Sequence, residues 1–174
     1  MTSFATDLTA SAELRKPVLK QGSQGEVVKE LQGLLLSYGA FVIHNGQGNC
    51  VFPGKEVVDG VFGAKTTAAV KVFQGRVFQT QDGIVGDKVW RSLFKGAPVD
   101  MVILKKGAKG ELVKKVQERL AIAGYYNYIL EGDFGSRTEA AVKEFQKAVG
   151  LPVDGVIAER TWFELSKINT IFCS

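Results

Sequence analysis

The stretch LKQGSQGEVVKELQGLLLSY, residues 19–38, recurs as LKKGAKGELVKKVQERLAIA, residues 104–123. The copies lie 85 residues apart and agree at Leu19, Lys20, Gly22, Gly25, Glu26, Val28, Lys29, Gln32 and Leu35. A second block, DGVFGAKTTAAVKVFQ at 59–74, matches EGDFGSRTEAAVKEFQ at 131–146, now 72 residues apart. The same offset pairs Asp82-Gly83 with Asp154-Gly155 and Trp90 with Trp162. Self-similar blocks in the same order mark a duplicated structural unit. The change of offset from 85 to 72 gives the first copy 13 extra residues, placed within 41–58 (FVIHNGQGNCVFPGKEVV). The expected organisation is an N-terminal arm (1–16), a first module (17–96) carrying that loop, a linker with Pro98 (97–101), and a second module with a C-terminal tail (102–174).

Each module reads as three helices joined by glycine turns. Val27, Leu31, Leu34, Leu35 and Tyr38 recur at the spacing of one apolar helix face. Ser23-Gln24-Gly25-Glu26 has the form of a capping box, and Gly39 stops the helix by accepting the left-handed conformation. Ala108 stands where Ser23 does, so Ala108→Ser is expected to stabilise module two by about 0.5–2 kcal/mol. A second helix is expected from near Thr66 and Thr138. Its inward face is Ala69, Val70, Phe73 and Val77, mirrored by Ala141, Val142, Phe145 and Val149, and Ser136-Arg137-Thr138-Glu139 reads as another capping box. A short third helix is centred on Trp90 with Leu93, and on Trp162 with Leu165. Strand-like alternation is nearly absent outside the inserted loop. The fold class is all-α, two tandem three-helix modules, with large aromatics filling cores this small.

Composition narrows the function. The net charge is +4, from 22 basic and 18 acidic residues. Lys105, Lys106, Lys109, Lys114 and Lys115 are diluted by neighbouring glutamates, which describes a solvated face rather than a phosphate-binding patch, so no nucleic-acid partner is expected. No apolar run approaches the ~20 residues of a membrane span. Residues 1–16 lack the basic start and apolar stretch of a secretory leader, so either a leader has been removed or export takes another route. Cys50 and Cys173 are in no metal-ligand spacing; one bridge, two free thiols and an intermolecular bond are all open to them.

Catalytic signatures are missing. With one histidine, His44, the chain lacks the usual ligand sets of zinc peptidases and amidases. A glycosidase needs two carboxylates across a cleft, but Glu26, Glu139 and Asp59 read as capping or turn residues. His44 and Cys50 share a Gly/Asn/Gln loop without the rigid frame a nucleophile and base require. The expectation is a chain that is not an enzyme, with no catalytic residue, no metal and no cofactor.

The order L-K-x-G-x-x-G-E-x-V-K-x-x-Q, then D-G-x-F-G-x-x-T-x-A-A-V-K-x-F-Q, then D-G-x-x-x-x-x-x-W-x-x-L, resembles the peptidoglycan-binding module, a three-helix cell-wall-binding family appended to many wall hydrolases. The resemblance covers both modules. Glu131 replaces the first Asp in module two, Ala158 replaces Gly86, and the inserted loop has no family counterpart. The resemblance implies a ligand of glycan strands with peptide stems, a targeting or anchoring role, and a place in the cell wall or periplasm, a cytoplasmic one staying open. A wall hydrolase or envelope assembly protein on another chain is the further partner. The alternative is a docking part of an envelope, phage-tail or injection assembly that uses the same modules for protein contacts.

Candidate ligand-binding residues follow. The turn carboxylates are Asp59, Glu131 and Asp133, with Arg137 where the second helix begins. Tyr38, Phe41, Tyr125 and Tyr126 follow the first helix as an aromatic rim, and Gln74 and Gln146 could bond a ligand amide. Each has a structural alternative: the turns by local hydrogen bonding, the tyrosines by packing their rings, the glutamines by satisfying buried backbone. For Phe62, Phe134, Trp90 and Trp162 the core reading is preferred over sugar stacking.

Overall fold

A computed structural model describes residues 15–172. Six helices stand among them: α1 (Glu26–Ser37), α2 (Ala64–Arg76), α3 (Asp87–Lys95), α4 (Glu111–Ile122), α5 (Ser136–Ala148) and α6 (Glu159–Ser166). The only sheet among the described residues pairs β1 (Ile43–His44) with β2 (Cys50–Val51) antiparallel, in the inserted loop. The chain is all-α, as its periodicity predicts. Residues 15–75 with 79–96 form one compact unit, and 76–78 with 97–172 the other. None of the described helices is long and apolar enough to cross a membrane.

In the first unit Val28, Leu31 and Leu35 of α1, Ala69, Val70 and Phe73 of α2, and Trp90 and Leu93 of α3 are buried, as is Phe62. The second repeats this with Val113, Val116 and Leu120, then Ala141, Val142 and Phe145, then Trp162 and Leu165, around Phe134. Both tryptophans are 1% exposed, so the core reading holds. Each indole N–H donates to a carbonyl of the segment leading into its module, Pro17 or Val102, at 2.9 Å. That segment also makes one antiparallel bridge to the turn before the third helix, Leu19 to Val85 and Leu104 to Ile157. Tryptophan thus fills the core and fastens the first residues of its module to the last helix.

Local expectations at the helix starts are corrected. Gly25 is the N-cap of α1 and no side chain caps it; Ser23 Oγ accepts the Lys20 N–H at 3.1 Å, and Glu26 pairs with Lys29. Residues 24–25 cannot join the helix, because Gln24 bridges Val61 and the Gly25 N–H donates to Gly60. Likewise α5 starts at Ser136 itself, behind Gly135, and Glu139 pairs with Lys143. The second helices begin two residues before Thr66 and Thr138, which are buried and accept the amides of Gln32 and Gln117 at 3.0 Å. Those same contacts turn the α1 face: Val28 and Gln32 are buried, and Val27 is not.

The inserted loop folds back as a hairpin with Ile43 opposite Val51 and His44 opposite Cys50. Asn45 Oδ1 holds its tip by accepting the Gln47 and Asn49 N–H groups. A 3-10 turn, Lys55–Val57, then buries Val57 before the chain rejoins the repeat at Asp59.

Candidate ligand-binding grooves

Four Asp/Glu-Gly turns are each seized by a buried glutamine. Gln32 Oε1 accepts the Gly60 N–H at 2.8 Å and its amide donates to Asp59 at 2.9 Å. Gln74 treats Gly83 and Asp82 in the same way, at 2.9 and 2.7 Å, as does Gln146 with Gly155 and Asp154, at 2.9 and 2.8 Å. Gln117 accepts the Gly132 N–H, but its amide goes to the Asp133 carbonyl and Thr138. The turn glycines sit at φ 71–78, where a side chain would be strained. The aspartates also accept the N–H two residues on, from Val61, Ile84 and Val156. These backbone donors, and then the glutamine amides, hold the carboxyls of Asp59, Asp82 and Asp154 below the usual aspartate range. Glu131, one methylene longer, makes no such bond and is exposed.

These contacts sort the candidates. Gln74 and Gln146 are 2% and 1% exposed, and their amides are committed to the turns. Phe41 and Tyr126, counterparts at the 85-residue offset, are buried at 3% and 4%. The Tyr126 hydroxyl donates to the Ile129 carbonyl. Tyr38 leans on Phe73 with ring centroids 5.3 Å apart and donates its hydroxyl to Leu93. Asp133 pairs at the surface with Lys109, 3.2 Å away. Asp59, Tyr125 and Arg137 line open grooves. Gln32 and Gln117 were missed as organising residues, although both stand in the repeated block.

The module-two groove holds about 420 Å³. Gly124, at φ 85, ends α4 and turns the chain so that Tyr125 and Tyr128 form one side. Ser136, Arg137, Ala140 and Glu144 of α5 form the other. Tyr125 packs edge-on against Phe145, centroids 5.7 Å apart, which fixes its ring. The Arg137 guanidinium lies 4.4 Å over the Tyr128 ring. A rigid aromatic wall with a stacked cation suits a ligand that has both apolar faces and polar groups.

Module one carries a different pocket, of about 400 Å³. Asp59, Val61 and Lys65 line it from the repeat; Ile43, Pro53 and Glu56 line it from the insertion. Backbone N–H groups of Glu56 itself and Gly54 keep the Glu56 carboxyl below its usual range. The insertion therefore walls the region beside the start of α2. Cys50 is disulfide-bonded, with His44 Nε2 3.9 Å from its sulfur, so the pair offers no free thiolate nucleophile. Cys173 lies outside the described residues.

The profile of the peptidoglycan binding domain family matches residues 24–93 and 109–165. The N-acetylmuramoyl-L-alanine amidase CwlM of Mycobacterium tuberculosis is 28% identical over 82% of this chain and 36% of that protein. The N-acetylmuramoyl-L-alanine amidase CwlL of Bacillus licheniformis is 29% identical over 97% of this chain and 50% of its own length. A spore cortex-lytic enzyme of Bacillus cereus is 41% identical over 34% of this chain and 23% of the enzyme. Among solved structures, the SleB N-terminal domain is 39% identical over 38% of this chain and 90% of that one, with a TM-score of 0.38. The chain spans half or less of the length of these curated relatives.

These names overturn the expectation that the chain is not an enzyme. That expectation rested on motifs missing from this chain, whereas the relatives sharing its modules are named as amidases and a cortex-lytic enzyme. Motifs missing from these 174 residues do not report the chemistry such modules accompany.

Proposed function

The chain belongs to the peptidoglycan-binding domain family, and from that membership we propose that it is the wall-gripping part of a peptidoglycan hydrolase, acting in the cell wall or periplasm. The observation that carries this reading is the module-two groove, where Tyr125, Tyr128 and Arg137 present a fixed aromatic and cationic wall. Its volume of about 420 Å³ falls in the range of small-molecule sites, roughly 300–1,000 Å³. A sugar or stem-peptide segment fits such a wall: C–H faces against tyrosine rings, polar groups toward the guanidinium. The names of the relatives support the hydrolytic half of the reading.

Mechanistically, the modules raise the local concentration of scissile bonds. One shallow groove grips weakly. Two on one chain convert the second contact into an intramolecular one, which raises avidity by roughly 10²–10⁴-fold. The test is sedimentation with purified sacculi at low salt, together with release of labelled wall fragments by the hydrolase that carries these modules. The chain is expected in the pellet, and fragments in solution with the hydrolase. A chain left in the supernatant defeats the gripping role, and sacculi left intact by the hydrolase defeat the hydrolytic one.

A further inference from the structure

We propose that the module-two groove reads two opposite charges on one peptide stem, Arg137 taking its carboxylate and Glu144 a side-chain amine. This rests on the wall-binding reading and adds the ligand's chemistry. Two neighbouring carboxylates are already paired: Glu139 engages Lys143, and Asp133 engages Lys109. Among the described residues neither Arg137 nor Glu144 has an ion-pair partner, yet both line the groove. The Tyr128 ring supports one face of the Arg137 guanidinium. Stacking of this kind leaves the edge N–H donors, the fork that matches a carboxylate in two parallel bonds.

Arg137 and Glu144 are seven residues apart on α5, two helical turns or about 10 Å. Between them the helix presents Ala140 and Ala141, small enough to let a backbone lie close. An extended chain covers that distance in about three residues at roughly 3.3–3.6 Å each. The ligand class is thus a short zwitterionic peptide. Module one is built differently: Lys65 stands for Arg137, Val72 for Glu144 and Ala40 for Tyr125, and the chain after Phe41 enters the insertion. The charged pair and its aromatic support belong to module two alone.

The test titrates the intact chain with soluble muropeptides bearing free stem peptides, and with the same material after carboxyl amidation or amine acetylation. Each modification is expected to weaken binding about tenfold or more, the weight of one charge-assisted contact. Arg137→Gln should abolish the penalty for amidation alone, and Glu144→Gln the penalty for acetylation alone. Arg137→Lys should restore part of the carboxylate preference, since charge returns without the flat fork. Both positions changed, Arg137 and Glu144, are exposed helix sites, and unaltered melting would confirm that the fold is spared. If Arg137→Gln still prefers the free carboxylate, or modified and unmodified muropeptides bind alike while sacculi are still pelleted with the chain, this inference falls and the wall-binding reading stands. If the unaltered chain ignores sacculi, both fall.

Discussion

Gln146 shows how much one amide can organise. It donates to Asp154, to the Val156 carbonyl and to Thr161, and accepts the N–H groups of Asp154 and Gly155. Gln146→Leu keeps the volume but leaves the buried Gly155 N–H unpaired, so module two should lose about 2–4 kcal/mol in urea unfolding. An unchanged midpoint would mean the turn holds itself. Ala108→Ser is expected to do much less than a helix cap would. Its counterpart Ser23 bonds an exposed turn N–H, so the gain should be about 0.5 kcal/mol or less by thermal melting. The glutamines were legible as repeated letters, but their partners were not. Gln32 reaches residues 27 and 28 positions away, a distance over which local pattern carries no information.

At the level of elements, the turns make the modules sensitive to acid. Asp82 and Asp154 titrate below the usual aspartate range because the Ile84 and Val156 N–H groups, then the glutamine amides, favour the carboxylate. A depressed folded-state value adds stability that is complete above the unfolded value, near pH 4, and is lost as pH falls through the folded one. The melting temperature should therefore hold from neutrality to about pH 5 and drop below about pH 4. Asp154→Asn should be less stable at neutral pH and show a flatter acid limb; parallel pH profiles for both proteins would remove the turn from the explanation. Helix existence and type were readable from the 3.6-residue period, whereas helix starts were not. Gly25 is drawn into pairing with Gly60, and that tertiary contact overrides a well-formed capping sequence. The groove was half visible: Tyr125 stood out as rim, but the partnership of Arg137 with Tyr128 needed the turn after Gly124.

For the whole molecule, duplication was the most informative feature of the sequence. Two offsets, 85 and 72, revealed the copies and located the insertion between them. What the insertion does to the site was hidden, because its walling role depends on how the hairpin folds back. If both copies contribute to binding, disabling one is not a loss of half. Tyr128→Ala with Arg137→Ala should lower sacculus binding by at least about tenfold, since it removes the multiplicative gain of a second contact. A fall of half or less in the bound fraction at limiting sacculus concentration would show that the copies act independently.

Trp90 and Trp162 clip the opening residues of each module to its final helix, reinforced by the Leu19–Val85 and Leu104–Ile157 bridges. Tension applied along the chain would meet these few backbone bonds before it reached the packed interior. The clips therefore act as a mechanical fuse. Under load these bonds would part first, before the packing around each tryptophan is disturbed.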